Sequence, residues 1–382
     1  MIYVHIPFCR SFCTYCDFYS EVAARCSRND EERFGQYSEA LSREISLRAD
    51  EITADDNTLY IGGGTPSVLP LSVFGRLVSV LEEAGHGGPY DEFTVEVNPE
   101  DIVEKGEGYV EGLLDLGVNR ISMGVQSFDD DILRWMNRRH DAGTAIKAYA
   151  ILENAGVRNI SIDLIFGLPQ LSDTQWTDTL KKALEVSSRG DRPQHISSYQ
   201  LSVEPGSALN MMVEKGMWKE ASDELCEHQY HILCEELRKA GYAHYEISNF
   251  ALPGFEARHN SAYWHHKPYA GFGPGAHSFI SRNVRQWNEP DLQAYLKAGR
   301  NGDFSVVQGR ETLNEEQLMM ERVMLGLRTS AGLEAGVLER CCDASGLDRA
   351  LSDGSLVRTE NGRVRIPEDR FFISDAIITE LI

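Results

Sequence analysis

"IPFCRSFCTYCDF" occupies residues 6–18 and places three of the chain's eight cysteines, Cys9, Cys13 and Cys16, within eight positions. It follows directly on "IYVHI" (2–6), an apolar, β-branched run that reads as a strand. Three thiolates on one short loop suit a compact multi-iron cluster in which each cysteine takes one iron of a cube. Three ligands for a four-iron cluster leave one iron open to a small molecule. A zinc site completed by His5, or three incidental thiols, are the alternatives; a structural zinc site usually shows paired CxxC halves, which are lacking nearby.

The same pairing of strand and loop recurs down the chain. "TLYIG" (58–62), "FTVEV" (93–97), "RISMGV" (120–125), "NISIDLIFG" (159–167), "HISSYQL" (195–201) and "AHYEISNF" (243–250) read as further strands. Between them, 31–50, 71–84, 107–116, 142–156, 173–187 and 222–240 carry helical periodicity. Such alternation predicts βαβ units and a parallel sheet, its strands rich in Ile and Val because both faces are covered. Six or more units predict an α/β fold of partial (β/α)6 barrel type. Sites in such barrels form at the carboxyl ends of strands. There the cysteines follow the first strand, Gly62–Pro66 the second, and Glu96 ends the third; Gln126 follows the fourth and Asp163 lies within the fifth.

Composition limits what the site can serve. The chain has 382 residues and 42% hydrophobic content, enough for one large domain and a smaller one. With 37 Lys+Arg against 59 Asp+Glu the net charge is −22, and the densest basic run, 134–140, holds only three arginines. A surface of that sign repels phosphates, so nucleic acid is not an expected partner. No apolar run reaches the roughly 20 residues of a transmembrane helix, and the N-terminus does not read as a signal peptide. A cytoplasmic chain with reduced thiols is expected, in which clustered cysteines hold metal more often than disulfides.

The CxxxCxxC spacing resembles the signature of the radical SAM superfamily. The resemblance implies a [4Fe-4S] cluster on Cys9, Cys13 and Cys16, its open iron chelated by S-adenosylmethionine. It also implies an electron donor, and cleavage of the cofactor to methionine and a 5′-deoxyadenosyl radical. "YVHIPFC", "GGGTP", "EVNP", "RISMGVQSF", "MNRRH" and "DLIFGLP" appear in order between residues 3 and 169. Together they resemble the family of the oxygen-independent coproporphyrinogen III dehydrogenase and the HemW-type heme chaperones. Carried over by motif, Tyr3, Gly63, Gly64, Thr65 and Glu96 would line the S-adenosylmethionine site, and Tyr15 would stack near it. Gln126, Arg138 and Asp163 match positions that hold a second S-adenosylmethionine in the dehydrogenase. The residue types suit this: carboxylates accept hydrogen bonds from ribose hydroxyls, and Arg138 can pair with a carboxylate. Without the resemblance, Arg138 reads as a solvated helix-end charge, Asp163 as a strand-end cap, and the glycines as a tight turn.

Phe18 separates the two relatives. The dehydrogenase carries CxxxCxxCxC, whereas this chain reads Cys16-Asp17-Phe18, with an aromatic as in HemW-type proteins, and the dehydrogenase's N-terminal extension has no counterpart ahead of Tyr3. Phe18 is expected to cover the cluster and limit solvent access. Further on, His259-Asn260-Ser261-Ala262-Tyr263-Trp264 matches HNxxYW, which resembles the heme-binding motif of HemW-type proteins. That implies heme as ligand, His259 as an axial candidate, and a heme-acceptor protein as partner. Any single histidine, taken alone, reads as a hydrogen-bonded residue without a ligand. The other cysteines read as ordinary thiols.

Residues 1–290 are expected to form the barrel with the heme motif near its end, and 308–382 a smaller unit. "NEEQLMMERVMLGLRT" (314–329) reads as a helix with an acidic start, "LVRTENGRVRIP" (356–367) as a hairpin turning at Asn-Gly, and "SDAIITELI" as a closing helix. Helices plus a hairpin predict a winged-helix-like domain acting as a lid or docking surface. The leading expectation is a radical SAM heme chaperone. Coproporphyrinogen III dehydrogenase is the alternative enzyme, and a radical SAM enzyme acting on another substrate such as RNA ranks last.

Overall fold

Six parallel strands form the centre of the molecule: β1 (Ile2–Ile6), β2 (Thr58–Gly63), β3 (Glu92–Val97), β4 (Arg120–Gln126), β5 (Ile160–Phe166) and β6 (His195–Gln200). They are seen in a computed structural model that describes every residue except 24–27 and 54–56. Cys26 therefore lies outside the described residues. An antiparallel hairpin, β7 (Ala243–Glu246) and β8 (Asn249–Ala251), extends the sheet beyond β6. At the other edge β9 (Ala270–Phe272) runs parallel to β1. The sheet order β9-β1-β2-β3-β4-β5-β6-β8-β7 is thus an open, partial (β/α)6 barrel with two added edges.

Helices follow the strands, most of them on the outer face. They are α1 (Arg28–Leu47), α2 (Leu71–Glu83), α3 (Pro99–Lys105), α4 (Glu107–Asp115), α5 (Asp130–Trp135), α6 (Ala142–Asn154), α7 (Asp173–Leu184), α8 (Ala208–Glu214) and α9 (Asp223–Lys239). Of these, α5 and α8 reach the cysteine loop. Alternation within the strands explains the layering. In β4, Ile121, Met123 and Val125 are fully buried, while Arg120, Ser122, Gly124 and Gln126 line the barrel interior. Each fully buried Ile or Met side chain contributes roughly 1.5–3 kcal/mol relative to exposure. Every helix of the expected set is present, and strands β1 to β6 stand where the apolar runs place them. The run 243–250 differs: it is not one strand but a hairpin turning at Ile247-Ser248, where the Ser248 amide donates to Glu246 Oε2 at 3.2 Å. The turn contains no Gly or Pro, so its sequence carries no strong turn signal.

A buried polar cluster fastens the first edge. Glu44 on α1 accepts hydrogen bonds from the Gly273 amide at 2.9 Å and the Tyr295 hydroxyl at 2.6 Å, and pairs with Arg48. Arg48 Nη1 in turn donates to the Gly271 carbonyl of β9 at 3.0 Å. Beyond α10 (Arg258–Trp264), a second, antiparallel sheet joins β10 (His277–Ile280), β11 (Val284–Asn288) and β12 (Gln308–Thr312), with α11 (Leu292–Asn301) inserted before its last strand. The chain closes with α12 (Glu315–Gly326), β13 (Leu333–Glu334), α13 (Ala335–Cys341), α14 (Ala344–Ser352), the hairpin β14 (Val357–Arg358) and β15 (Arg363–Arg365), and α15 (Ser374–Leu381). This succession of helices and a three-stranded sheet is winged-helix-like. Among the described residues no helix is long and apolar enough to cross a membrane.

Candidate functional site

The cysteine loop lies across the carboxyl ends of the strands because both its ends are pinned there. The Gly64 amide donates to the Ile6 carbonyl at 2.8 Å, and the Thr65 amide to Phe8 at 2.7 Å. A two-residue parallel ladder then ties Phe8–Cys9 to Glu21–Val22. Gly64 permits this approach: a Cβ there would stand 2.6 Å from the Phe8 carbonyl oxygen. Gly63, at φ +109°, turns its missing side chain against the His5 ring, 2.7 Å away. His5 Nε2 meets the Tyr19 carbonyl at 2.8 Å, so one ring braces the glycine turn and the end of the cysteine loop together.

Beneath the loop opens a cavity of about 390 Å³. Cys9, Cys13, Cys16, Tyr15, Gly63, Gly64, Thr65, Glu96, Gln126, Arg138 and Asp163 all line it. Cys9 Sγ lies 3.2 Å from Thr65 Oγ1. Glu96 accepts hydrogen bonds from the Tyr60 hydroxyl at 2.7 Å and the Gly63 amide at 3.1 Å. Burial raises its carboxyl to about 7, helped by the Asp163 charge and opposed by those two donors. Asp163 takes hydrogen bonds from Ser122 Oγ at 2.9 and 3.1 Å, and burial likewise raises its carboxyl. Arg138 donates to Cys13 Sγ at 3.4 Å, to Asn98 Oδ1 at 2.8 Å and to the Gly124 carbonyl at 2.6 Å. Gln126 holds a left-handed φ of +67° where β4 carries a bulge, which aims the end of the strand over the cavity.

Two expected residues lie elsewhere. Tyr3 is not in the cavity wall; its hydroxyl bonds His5 Nδ1 at 3.0 Å and its ring faces Tyr60 at 6.2 Å. His259 lies on α10, which plugs the barrel where the strands begin. Its Nδ1 meets Thr58 Oγ1 at 2.9 Å and its Nε2 meets the Tyr263 hydroxyl at 2.9 Å. It is 1% exposed, and burial lowers its pKa to about 3, so the ring is neutral. Glu92 receives the first amides of α10, Arg258 at 2.8 Å and His259 at 3.0 Å, which explains why the plug seats there. Asn260, next to His259, does reach the cavity floor.

Several lining residues are not singled out by the sequence: Tyr60, Ser197 and Tyr199 lie outside the motifs, and Asn98, Arg120, Ser122 and Asn260 lie within them without a role assigned. The signal for most is present, since Arg120-x-Ser122-x-Gly124-x-Gln126 is a polar period of two inside an apolar strand. The donor set fits a polynuclear cluster better than one ion. Three thiols share a cavity, yet among the described residues no three His, Cys, Asp or Glu converge on the volume of a single metal ion. Both ring nitrogens of His5 are engaged, so in this arrangement His5 is not the fourth ligand of a zinc site.

Comparison with known proteins places the chain in a family. The model of the radical SAM superfamily matches residues 3–183. The heme chaperone HemW of Synechocystis is 33% identical over 341 residues, covering 87% of this chain and 78% of that one. HemW of Mycobacterium tuberculosis is 31% identical over 391 residues, covering 100% and 94%. The chain belongs to the HemW family of radical SAM proteins. The solved structure of coproporphyrinogen III oxidase (HemN) from Escherichia coli superposes with a TM-score of 0.79, covering 99% of this chain and 89% of that one. At 23% identity this likeness speaks for the fold alone. Within the family frame Phe18 is informative by position: it lines the cavity mouth but is 65% exposed, so it stands at the entrance instead of sealing it.

Proposed function

We propose that this chain is a heme chaperone of radical SAM type, which binds heme and passes it to an acceptor protein. The observation that carries the reading is its identity of 31–34% to HemW chaperones along most of their length. Phe18, where the dehydrogenase signature has a fourth cysteine, supports it. In this reading Cys9, Cys13 and Cys16 hold a [4Fe-4S] cluster, and the cavity beside Gly63, Gly64, Thr65 and Glu96 holds S-adenosylmethionine. When bound, this pair supplies one-electron chemistry, drawing on an external electron donor.

The protein's own groups prepare that site. Glu96, kept partly protonated near neutral pH, can both accept from and donate to ribose hydroxyls. The cysteine loop and the glycine turn are locked against each other through His5. Tyr60, Asn98 and Thr65 line the same cavity wall as the thiols. Heme ligation by His259 belongs to the proposal in a conformation in which Tyr263 has released Nε2. The −22 charge argues against a nucleic acid partner, and a cytoplasmic location completes the reading.

The dehydrogenase reading keeps one observation, the gathering of Gln126, Arg138 and Asp163 around one cavity. An anaerobic assay separates the two. Cluster-reconstituted protein receives reductant, S-adenosylmethionine and coproporphyrinogen III, with products resolved by mass detection. The expected result is 5′-deoxyadenosine without decarboxylated porphyrinogen, and stoichiometric binding of added heme. Protoporphyrinogen formation overturns the chaperone reading.

A further inference from the structure

Arg138 is a half-buried cation in the cavity wall, and no carboxylate pairs with it. Among the described residues no Asp or Glu lies within ion-pair distance of its guanidinium, and its Nε has no hydrogen-bond partner. The nearby Glu100 is turned away to His140 at 3.2 Å and Arg139 at 3.7 Å. A guanidinium largely withdrawn from water normally has an opposite charge close by. Here Nη1 points at a sulfur, Cys13 Sγ, at 3.4 Å, while Nη2 is fixed by Asn98 and the Gly124 carbonyl.

The three residues before Arg138 hold the same stretch of the cysteine loop. The Trp135 carbonyl accepts from Thr14 Oγ1 at 2.9 Å, and the Met136 carbonyl accepts from the Thr14 amide at 3.1 Å. Asn137, in the left-handed region at φ +58°, donates Nδ2 to the Phe12 carbonyl at 2.7 Å. Asparagine tolerates that conformation better than most residues. Four consecutive residues, 135–138, therefore grip residues 12–14 and bracket Cys13 from both sides.

We infer that Arg138 is the countercharge of the iron-sulfur cluster: a positioning residue whose hydrogen bond to Cys13 favours the reduced, more negative cluster. This rests on Cys9, Cys13 and Cys16 being the cluster ligands. Hydrogen bonds to cluster sulfurs and nearby charge set cluster potentials. The step involved is addition of one electron from an external reductant, with no proton moved, because the guanidinium stays protonated throughout. The role differs from pairing with a cofactor carboxylate, so it operates before any S-adenosylmethionine binds.

The test is therefore made without S-adenosylmethionine. Wild type, Arg138→Met and Arg138→Lys are reconstituted anaerobically, iron and sulfide are counted, and the reduced cluster is followed by EPR during a dithionite-buffered redox titration. At one fixed potential the ratio of reduced to oxidised cluster is expected to fall about tenfold or more in Arg138→Met, and less in Arg138→Lys, which keeps the charge. Wild type grown with guanidino-¹⁵N arginine is expected to show ¹⁵N hyperfine coupling to the reduced cluster. A fully loaded Arg138→Met with an unchanged ratio overturns the inference. If that variant fails to assemble a cluster, absence of ¹⁵N coupling in wild type overturns it and presence sustains it. Failure of wild type itself to take up four irons would instead remove the cluster assignment on which it stands.

Discussion

Nε2 of His259 is held by the Tyr263 hydroxyl and Nδ1 by Thr58, inside a wall formed by Tyr60 at 5.2 Å between ring centroids. His259→Ala empties a buried site and strands two hydroxyls, so it is expected to cost about 2–4 kcal/mol, read as a lower Tm. Loss of heme binding in that variant alone is then no proof of ligation. Tyr263→Phe is the cleaner probe: it frees Nε2 while keeping the ring packing, and heme affinity in a Soret titration should rise severalfold. Unchanged affinity would count against His259 as the axial ligand. Glu246 offers a pH handle. It is fully buried, one carboxylate oxygen has no partner, and burial raises its pKa from 4.5 to about 7. Because the folded value lies above the unfolded one, its contribution is fully present below about pH 4.5 and is lost as pH rises towards 7. Glu246→Gln should flatten that fall and stabilise the chain at pH 8 by about 1–3 kcal/mol, seen in thermal melts at pH 5.5 and 8. The motif residues were visible in the sequence because each is tied to a fixed spacing. That His259 faces the barrel's closed end, and Tyr3 its packing, depends on where α10 seats, which no local pattern encodes.

Among the elements, the glycine turn between β2 and α2 has the least freedom. A Cβ on Gly64 would meet backbone on one side, Phe8 and Ile6, and Ser20 Cβ on the other. Backbone cannot swing aside as a side chain can, so Gly64→Ala must displace the cysteine loop. The variant should keep its far-UV circular dichroism yet bind less than half the iron of wild type after reconstitution; full loading would show the loop to be more compliant than its contacts imply. The same contacts mark the limits of sequence reading. β1 to β6 and their helices follow from apolar period and length because parallel strands buried on both faces leave a strong local trace. The β7–β8 hairpin leaves almost none. Ala243, Tyr245 and Ile247 alternate up to the turn, only the shifted phase of Phe250 marks the break, and the reversal is decided by Phe250 and Ala251 pairing with Ile196 and His195. The strands β9, β10 and β11 sit among histidines and aromatics that draw the eye to ligands, although β9 extends the main sheet beside β1 and β10 and β11 build a second sheet.

At the scale of the whole molecule, the open barrel leaves two exposed sheet edges, and the C-terminal unit guards one of them. The Ser330 amide donates to the Tyr245 carbonyl at 3.0 Å and the Ile247 amide to the Arg328 carbonyl at 3.2 Å, with Glu246 bridged to Thr329. These backbone bonds occupy the free side of β7. Side chains reinforce the seam: Glu321 on α12 joins His266 at 2.9 Å and Arg285 at 2.8 Å, both from the barrel side. Those pairs are partly solvated, so each contributes about 1 kcal/mol or less, and the edge cover matters more. An uncovered edge strand offers unpaired amides and carbonyls to any other strand. A chain ending after Leu313 is therefore expected to retain cluster binding, because none of the cavity residues lies beyond that point. It should elute from size exclusion as concentration-dependent oligomers where the full chain does not. A charge placed on that edge at its exposed residue, Ala243→Lys in the truncated chain, should restore the smaller species if edge pairing is the cause. If the truncated chain matches the full chain in elution and Tm, the C-terminal unit is not an edge cover, and its role as a docking surface for the heme acceptor gains weight.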